Sequence, residues 1–142
     1  MNTLNGTTGF TEINSILELE PVRRLKYFSQ LGLKTYWLRG TTDAKYLEHN
    51  RLNHSVGVLL LASYLYLKIY KKKPEIVGGD LRELQFLQIA ALFHDIGHLP
   101  FSHLMEEVFE EFGWVIAGEK KSFDHEQHTK NVLRQLVEAD EM

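Results

Sequence analysis

Four ionisable side chains lie close together in one of the most apolar parts of this chain. His94, Asp95, His98 and His103 fall within ten consecutive positions. Large apolar residues flank them, at Leu92, Phe93, Ile96, Leu99 and Phe101. Burying imidazoles and a carboxylate without partners costs roughly several kcal/mol, so any fold of this segment must supply partners for them. A divalent metal ion together with an anionic ligand would do so, which makes the segment a candidate metal site.

The remainder of the sequence favours helices. The chain has 142 residues with only 10 glycines and 3 prolines, too few for a loop-dominated or mostly β protein. Apolar spacing and capping residues predict helices over 13–19, 21–30, 51–72, 80–97, 102–112 and 124–138. Loops are predicted at 33–50, with room for one short strand, and at 113–122. Asp80, Ser102 and Asp124 are the candidate N-caps, and Gln127 would complete a capping box with Asp124. We therefore predict an all-α fold.

Composition excludes several classes of site. There is no cysteine, so disulfides, thiolate nucleophiles and zinc-thiolate fingers are ruled out. The net charge of −3 argues against a general electrostatic attraction to nucleic acid, although a local basic patch would be compatible with it. The N-terminal residues lack the basic and apolar segments of a signal peptide, and we expect a cytoplasmic protein.

The most apolar stretch runs from Val56 to Tyr70. It is shorter than the roughly 20 residues that a membrane span needs, and Ser63 interrupts it. We interpret it as a buried core helix and expect no membrane association. The lysines at 71–73 that follow it are typical of a helix C-terminus, where cations interact favourably with the helix dipole.

Two further histidines belong with the His94–His103 segment only if the fold brings them there. His54 lies on the apolar helix 40 residues before His94, and His125 opens the last predicted helix. His98 follows His94 by four residues, which would place both on one helical face. Taken singly, each histidine is more typical of an ordinary core or surface position, and only their combination indicates a site.

The motifs, taken together and in order, resemble the HD-domain metal-dependent phosphohydrolases. The matching segments are Arg24–Gly32 (Arg-Leu-x-x-Ile-x-Gln-Leu-Gly), Asn50–Val58 (Arg-Phe-x-His-Ser-x-Gly-Val), His94–His103 (His-Asp-x-Gly-His-x-Pro-Phe-Ser-His) and the Asp124–Gln127 His-Glu motif. The ten-residue block is the most specific of them. It is similar to that of the deoxynucleoside triphosphate triphosphohydrolase branch and its bacterial relatives.

This resemblance implies a helical HD bundle and a role for each matching residue. His54, His94 and Asp95 would bind one divalent ion, of manganese, iron, nickel, zinc or magnesium. His98, His103 and His125 would line the phosphate site and handle protons. Gln30 and Arg51 would contact the substrate, with a surface amide and an exposed helix-start cation as their alternatives. The expected reaction converts a deoxynucleoside triphosphate into a nucleoside and triphosphate.

The sequence departs from the family pattern at the fourth metal ligand, an aspartate well downstream of the His-Asp pair. Asp124 is better explained as a helix cap, and Asp140 lies in a charged tail. We therefore expect a single HD domain over 1–142, with its core at about 20–138, that forms the N-terminal part of a larger helical domain and is weakly active or inactive alone. A phosphodiesterase with the same metal site, or a truncated or degenerate domain that only binds nucleotide or nucleic acid, are the alternatives. Homo-oligomers are expected by analogy.

Overall fold

The structure is a computed structural model that describes residues 8–32, 49–78, 80–116, 119–121 and 123–140. Its elements are α1 (Thr8–Glu18), α2 (Glu20–Arg23) with a 3₁₀ turn (Arg24–Tyr27), α3 (Arg51–Lys72), α4 (Leu81–Phe93), α5 (His103–Phe112), β1 (Trp114–Ile116), β2 (Glu119–Lys121) and α6 (His125–Asp140). The predicted all-α class is confirmed. A small antiparallel hairpin, β1–β2, replaces the loop predicted at 113–122, with Trp114 opposite Lys121.

The first two helices differ from their predicted limits. α1 begins at Thr8 rather than Ile13. The helix predicted over 21–30 ends at Tyr27, because the next residues pair with the segment before α3: Ser29 bridges to Asn50. Leu25, three residues after a buried Val22, lies in a 3₁₀ turn, whose repeat is three residues. Most of the loop predicted at 33–50 lies outside the described residues.

Helices α3 and α4 form the centre of the fold and pack against each other. α3 has the predicted limits, and the Asn50 side chain caps it by accepting from the Asn53 amide at 2.8 Å. Asp80 caps α4 as predicted, accepting from the Arg82 amide at 2.9 Å. α4 ends at Phe93, before the predicted 97.

The apolar core lies at one end of this helix pair. One cluster joins Val22, Leu25 and Ile96, and a second joins Leu59, Ala91 and Leu92. Ile16 and Leu17 of α1 pack against both clusters. Because Ile96 directly follows Asp95, the packing of Ile96 in the core fixes the position of the His94–His103 segment.

The prediction that the Val56–Tyr70 stretch is a buried core helix is wrong for most of its length. Beyond Leu59 its large side chains are exposed, Leu60 by 63% and Tyr64 by 52%. α3 has 22 residues, and by length and composition alone it could cross a membrane, a test that core helices of soluble proteins also pass. Only 11% of the most apolar 18-residue stretch of α3 is buried.

Candidate metal centre and histidine cluster

The segment that carries His94 and Asp95 leaves the helix. After Phe93 the amides of Ile96 and His98 bond to carbonyls three residues back, at 3.2 and 3.1 Å, so α4 gives way to turns. The helical periodicity assumed for His94 and His98 does not apply here. The two histidines therefore join two different groups of side chains, which share Asp95 as a neighbour.

His54, His94 and Asp95 form the first group, which we call the donor triad. One potential ligand atom from each lies within 4.8 Å of the others. The His54 and His94 rings meet edge to face with centroids 5.2 Å apart. His94 Nε2 lies 3.3 Å from Asp95 Oδ1. The fold thus brings together the three side chains that the resemblance implies as metal ligands.

Hydrogen bonds leave free lone pairs on the triad. His94 Nδ1 lies 2.8 Å from the Ala91 carbonyl, which can only accept, so Nδ1 donates. In the neutral imidazole the lone pair is then on Nε2, which faces Asp95. Arg51 donates to Asp95 Oδ2 at 2.6 Å and leaves Oδ1 to face His94. Two lone-pair atoms facing each other at this distance suit a cation between them. The donor set, two imidazoles and a carboxylate, fits a divalent transition metal ion.

The electrostatics of His54 also support the interpretation of the donor triad as a metal site. Burial lowers the pKa of His54 below its ordinary value, and the nearby His94 and Arg51 lower it further, against the opposing effect of Asp95. A lowered pKa keeps the imidazole neutral at physiological pH. Neutral imidazole is the form that binds a metal, so His54 needs to lose no proton first.

The second group surrounds a carboxylate, and we call it the histidine cluster: His98, His103, Glu106 and His125. Nδ1 of His125 lies 2.6 Å from Glu106 Oε1, and Nδ1 of His103 lies 3.0 Å from Glu106 Oε2. The rings of His98 and His125 stack at 4.0 Å. The three histidines predicted to act together are therefore side by side, held by one carboxylate.

His98 links the cluster to the triad. Its Nε2 lies 3.6 Å from Asp95 Oδ1, and its ring is nearly fully buried. Burial lowers the pKa of His98 to about 4, and the positive charge of Arg51 acts in the same direction. Its Nδ1 is buried with no hydrogen-bond partner among the described residues, 3.8 Å from Glu106 Oε1. His98 is thus neutral at physiological pH and has an unused polar atom facing the cluster.

Glu106 was missed by the sequence analysis. Burial raises its pKa, but the hydrogen bonds from His103 and His125, together with the charge of His125, outweigh that effect and lower it. Glu106 therefore remains a carboxylate. The signal was present in the sequence, because His103 and Glu106 are three residues apart on a predicted helix and share a face.

Gly97 allows α6 to approach the site. Its amide donates to Thr129 Oγ1 at 3.0 Å, and His128 Nδ1 donates to its carbonyl at 2.9 Å. A Cβ at Gly97 would lie 2.1 Å from the His125 carbonyl oxygen. The close approach at Gly97 is that of α6, and it brings His125 to Glu106. His128, which was left out of the predicted site, has a structural partner here.

Arg51 and Gln30, the two residues predicted to contact the substrate, differ in their surroundings. Arg51 is 2% exposed and bonded to Asp95 and to Ser102 Oγ, so the alternative of an exposed helix-start cation is wrong. Gln30 is half-buried in the turn that follows the Ser29–Asn50 bridge. Its Oε1 is buried and has no hydrogen-bond partner among the described residues. The roles of both residues towards a substrate stay predictions.

The structure also bears on two predicted caps, on the predicted capping box and on the fourth ligand. Asp124 Oδ1 accepts from the Glu126 amide at 2.8 Å, as expected of a cap. Gln127 bonds to Asn131 instead of completing the capping box. Ser102 stands at the start of α5 but makes no capping bond, since its hydroxyl binds Arg51. The side chain of Asp140 lies outside the described residues, and its role as a fourth ligand stays a prediction.

Comparison with known proteins gives one family and a consistent set of relatives. The family model of the HD domain matches residues 51–141. The chain is 33% identical over 124 residues, 87% of its length, to the human deoxynucleoside triphosphate triphosphohydrolase SAMHD1, and 35% identical over 127 residues, 89%, to that of Mus musculus. It is 33% identical over 111 residues, 78%, to the uncharacterized protein YwfO of Bacillus subtilis. The chain spans only 18% of the two mammalian relatives and 21% of YwfO.

Proposed function

The chain belongs to the HD domain family, and from that premise we propose that it is a metal-dependent nucleotide phosphohydrolase acting on deoxynucleoside triphosphates. One observation carries the proposal: the donor triad and the histidine cluster are adjacent, and His98 contacts both. Both groups bring potential metal-ligand atoms within 4.8 Å of one another; we assign the divalent ion to the donor triad, and the protons and phosphate to the histidine cluster. The similarity to triphosphohydrolases over most of the chain supports the substrate class.

In this proposal the donor triad holds the ion through His54, His94 and Asp95. The bound ion would activate a water molecule and polarise a phosphoryl oxygen at neutral pH. The protein supplies the orientation of each donor. The Ala91 carbonyl fixes the tautomer of His94, and Arg51 leaves one oxygen of Asp95 to face it. Such partners of metal ligands determine ligand orientation and basicity.

The histidine cluster provides proton transfer in a fixed geometry. Glu106 accepts from Nδ1 of both His103 and His125, so each ring has its Nε2 left for a substrate oxygen. His103 is exposed by 68% at its side chain and is accessible to an incoming phosphate. In the proposed reaction a water oxygen bonds to phosphorus as the bond from phosphorus to the sugar oxygen breaks. Nε2 of the protonated His103 gives its proton to the leaving oxygen, and the proton that the water loses passes to solvent, from which His103 is protonated again.

Gln30 supports recognition of the nucleoside part. Its buried, unsatisfied amide oxygen is an acceptor without a partner among the described residues. An unsatisfied buried acceptor is costly, and a sugar hydroxyl or base amine that donated to it would recover that cost on binding. We propose that Gln30 accepts from the sugar or base while the cluster binds phosphate.

Metal loading followed by product analysis tests the proposal. The purified chain is loaded with manganese, iron, nickel or zinc in turn and offered each deoxynucleoside triphosphate, a cyclic dinucleotide and a nucleotide diester. We expect stoichiometric metal binding and, because this chain alone is expected to be at most weakly active, only slow release of triphosphate with nucleoside. His94→Ala should abolish metal binding, whereas Glu107→Gln, an exposed neighbour of the cluster, should leave it unchanged.

Other products would redirect the assignment. Cleavage of the diester or cyclic substrate without triphosphate release would indicate a phosphodiesterase. Nucleotide binding with no turnover under any metal would support a domain that only binds its ligand. A wild-type chain that binds no metal would reject the donor triad as a metal site.

A further inference from the structure

Two adjacent residues in the middle of the site have an unusual backbone. Phe101 and Ser102 have φ values of 66° and 56°, and they are the positive-φ residues other than glycine among those the structure describes. Side chains with a Cβ rarely adopt this conformation, and its persistence requires surrounding contacts that fix it. The strained pair lies between His98 and His103, so its effect on the site can be followed directly.

The strained turn directs the Ser102 hydroxyl inwards. Ser102 is 5% exposed and occupies the position before α5, where a serine usually caps the helix, yet it makes no capping bond. Its Oγ instead accepts from Arg51 Nε at 2.9 Å. In this backbone conformation Ser102 makes no local capping bond and instead contacts Arg51, 51 positions away in the sequence.

Arg51 transmits this contact to the donor triad. Its guanidinium is held at two points, at Nε by Ser102 and at NH1 by Asp95 Oδ2, at 2.6 Å. Because the guanidinium is planar and rigid, two such bonds fix both its position and its plane. Asp95 is consequently held by one oxygen, and its other oxygen faces His94 Nε2 at 3.3 Å and His98 Nε2 at 3.6 Å.

From this chain of contacts we propose that Ser102 is a positioning residue for the metal site, acting through Arg51 on Asp95. The proposal rests on the proposed function, since it takes Asp95 as a ligand. The Ser102 hydroxyl, and not the shape of the turn alone, determines which oxygen of Asp95 would face the ion. Without the hydroxyl, Arg51 keeps its ion pair but loses the second point that fixes its plane, and Asp95 is free to rotate.

Two substitutions separate the hydroxyl from the backbone. Ser102→Ala removes the hydroxyl and keeps the strain, whereas Ser102→Gly removes the hydroxyl and relieves the strain. Ser63→Ala is the matched control, because it also removes a hydroxyl that bonds within the fold but lies on α3 away from the site. The full chain is titrated with Co²⁺ alone, whose visible spectrum reports the ligand geometry as well as the affinity.

We expect both Ser102 variants to bind Co²⁺ about 10–100-fold more weakly than the wild type, with an altered spectrum, and Ser63→Ala to match the wild type. NMR without metal should show an Arg51 Nε–H protected from solvent exchange in the wild type and unprotected in both Ser102 variants. Wild-type affinity and spectrum in both variants would overturn the inference while leaving the metal site intact. Loss in Ser102→Ala with full affinity in Ser102→Gly would also overturn it, by assigning the effect to the backbone. A wild type that binds no Co²⁺ would reject the donor triad and this inference together.

Discussion

The two halves of α3 have the same helical backbone and opposite surroundings. In the first half Arg51, Ser55 and Leu59 are buried, and Arg51 is bonded to Asp95 and Ser102. In the second half the large apolar side chains from Leu60 to Tyr70 are largely exposed. Polar Arg51 and Ser55 are therefore buried in the first half, while large apolar side chains of the second half are exposed. Burial along this helix follows the partners that the site supplies and not the hydropathy of the sequence.

The largest effect should come from removing the buried carboxylate. Asp95→Ala leaves Arg51 buried without its charged partner, and breaking a buried ion pair in this way costs about 3–5 kcal/mol. We expect a loss of that order in the free energy of unfolding in urea without metal, together with loss of metal binding. The exposed Glu107→Ala should change the unfolding free energy by less than about 0.5 kcal/mol. Equal stability of the two variants would contradict the role of the Arg51–Asp95 pair as the buried partner of the first half of α3.

The next effect concerns the carboxylate of the histidine cluster. In Glu106→Gln one side-chain oxygen remains, so one of His103 and His125 loses the acceptor that orients it. We expect metal binding to be retained and triphosphate release to fall about 10²–10⁴-fold, the range typical of a lost proton-transfer group. Glu107→Gln on the same helix is the control. Unchanged turnover in Glu106→Gln would show that the cluster is not part of the reaction.

A glycine pair compares the site with the helix surface. Gly97→Ala would place a Cβ 2.1 Å from the His125 carbonyl, so α6 must shift, at a cost of about 1–3 kcal/mol. Gly57→Ala on α3 meets nothing within 4 Å and should stabilise the protein by about 0.5–1 kcal/mol. Chemical denaturation measures both. Similar effects from the two changes would mean that α6 does not depend on the close approach at Gly97.

Acid should destabilise the metal-free protein through His98 and Glu106 of the histidine cluster. His98 binds a proton near pH 6.5 when unfolded but has a pKa of about 4 when folded. Between these values the unfolded state takes up more protons, so stability is fully present above about pH 6.5 and falls as the pH drops towards 4. The lowered pKa of Glu106 acts in the same direction at lower pH. We expect a loss of about 3 kcal/mol across this window, reduced in His98→Gln, and a flat profile would contradict it.

The smallest effect should come from the exposed half of α3. Leu61 is 59% exposed, and Leu61→Ser should change the free energy of unfolding by less than about 0.5 kcal/mol. Because the substitution reduces a contiguous apolar surface, it should also raise solubility, measured by light scattering at increasing concentration. A loss of stability above about 1 kcal/mol would show that this face is packed in solution, and would remove the contrast between the two halves.

Local signals in the sequence determined much of the helical framework. The limits of α3 and the caps Asp80 and Asp124 were predicted correctly, because capping depends on residues two or three positions apart. The helical class was equally accessible from composition and spacing. The prediction that His54 meets His94 and Asp95 came from a resemblance between motifs, and the fold brings the three side chains together. Their role as metal ligands stays a prediction.

Contacts between distant residues could not be predicted in this way. Local periodicity predicted that α4 continues past Phe93. In the structure α4 ends at Phe93 and is followed by turns, where α6 docks on Gly97 and Arg51 pairs with Asp95. The same holds for Ser102, which local rules make a helix cap. Its hydroxyl binds a residue 51 positions away, because a buried guanidinium must be satisfied wherever the fold places it. The sequence by itself determined which segments become helices, while tertiary packing decided where they stop and which polar groups they bury together.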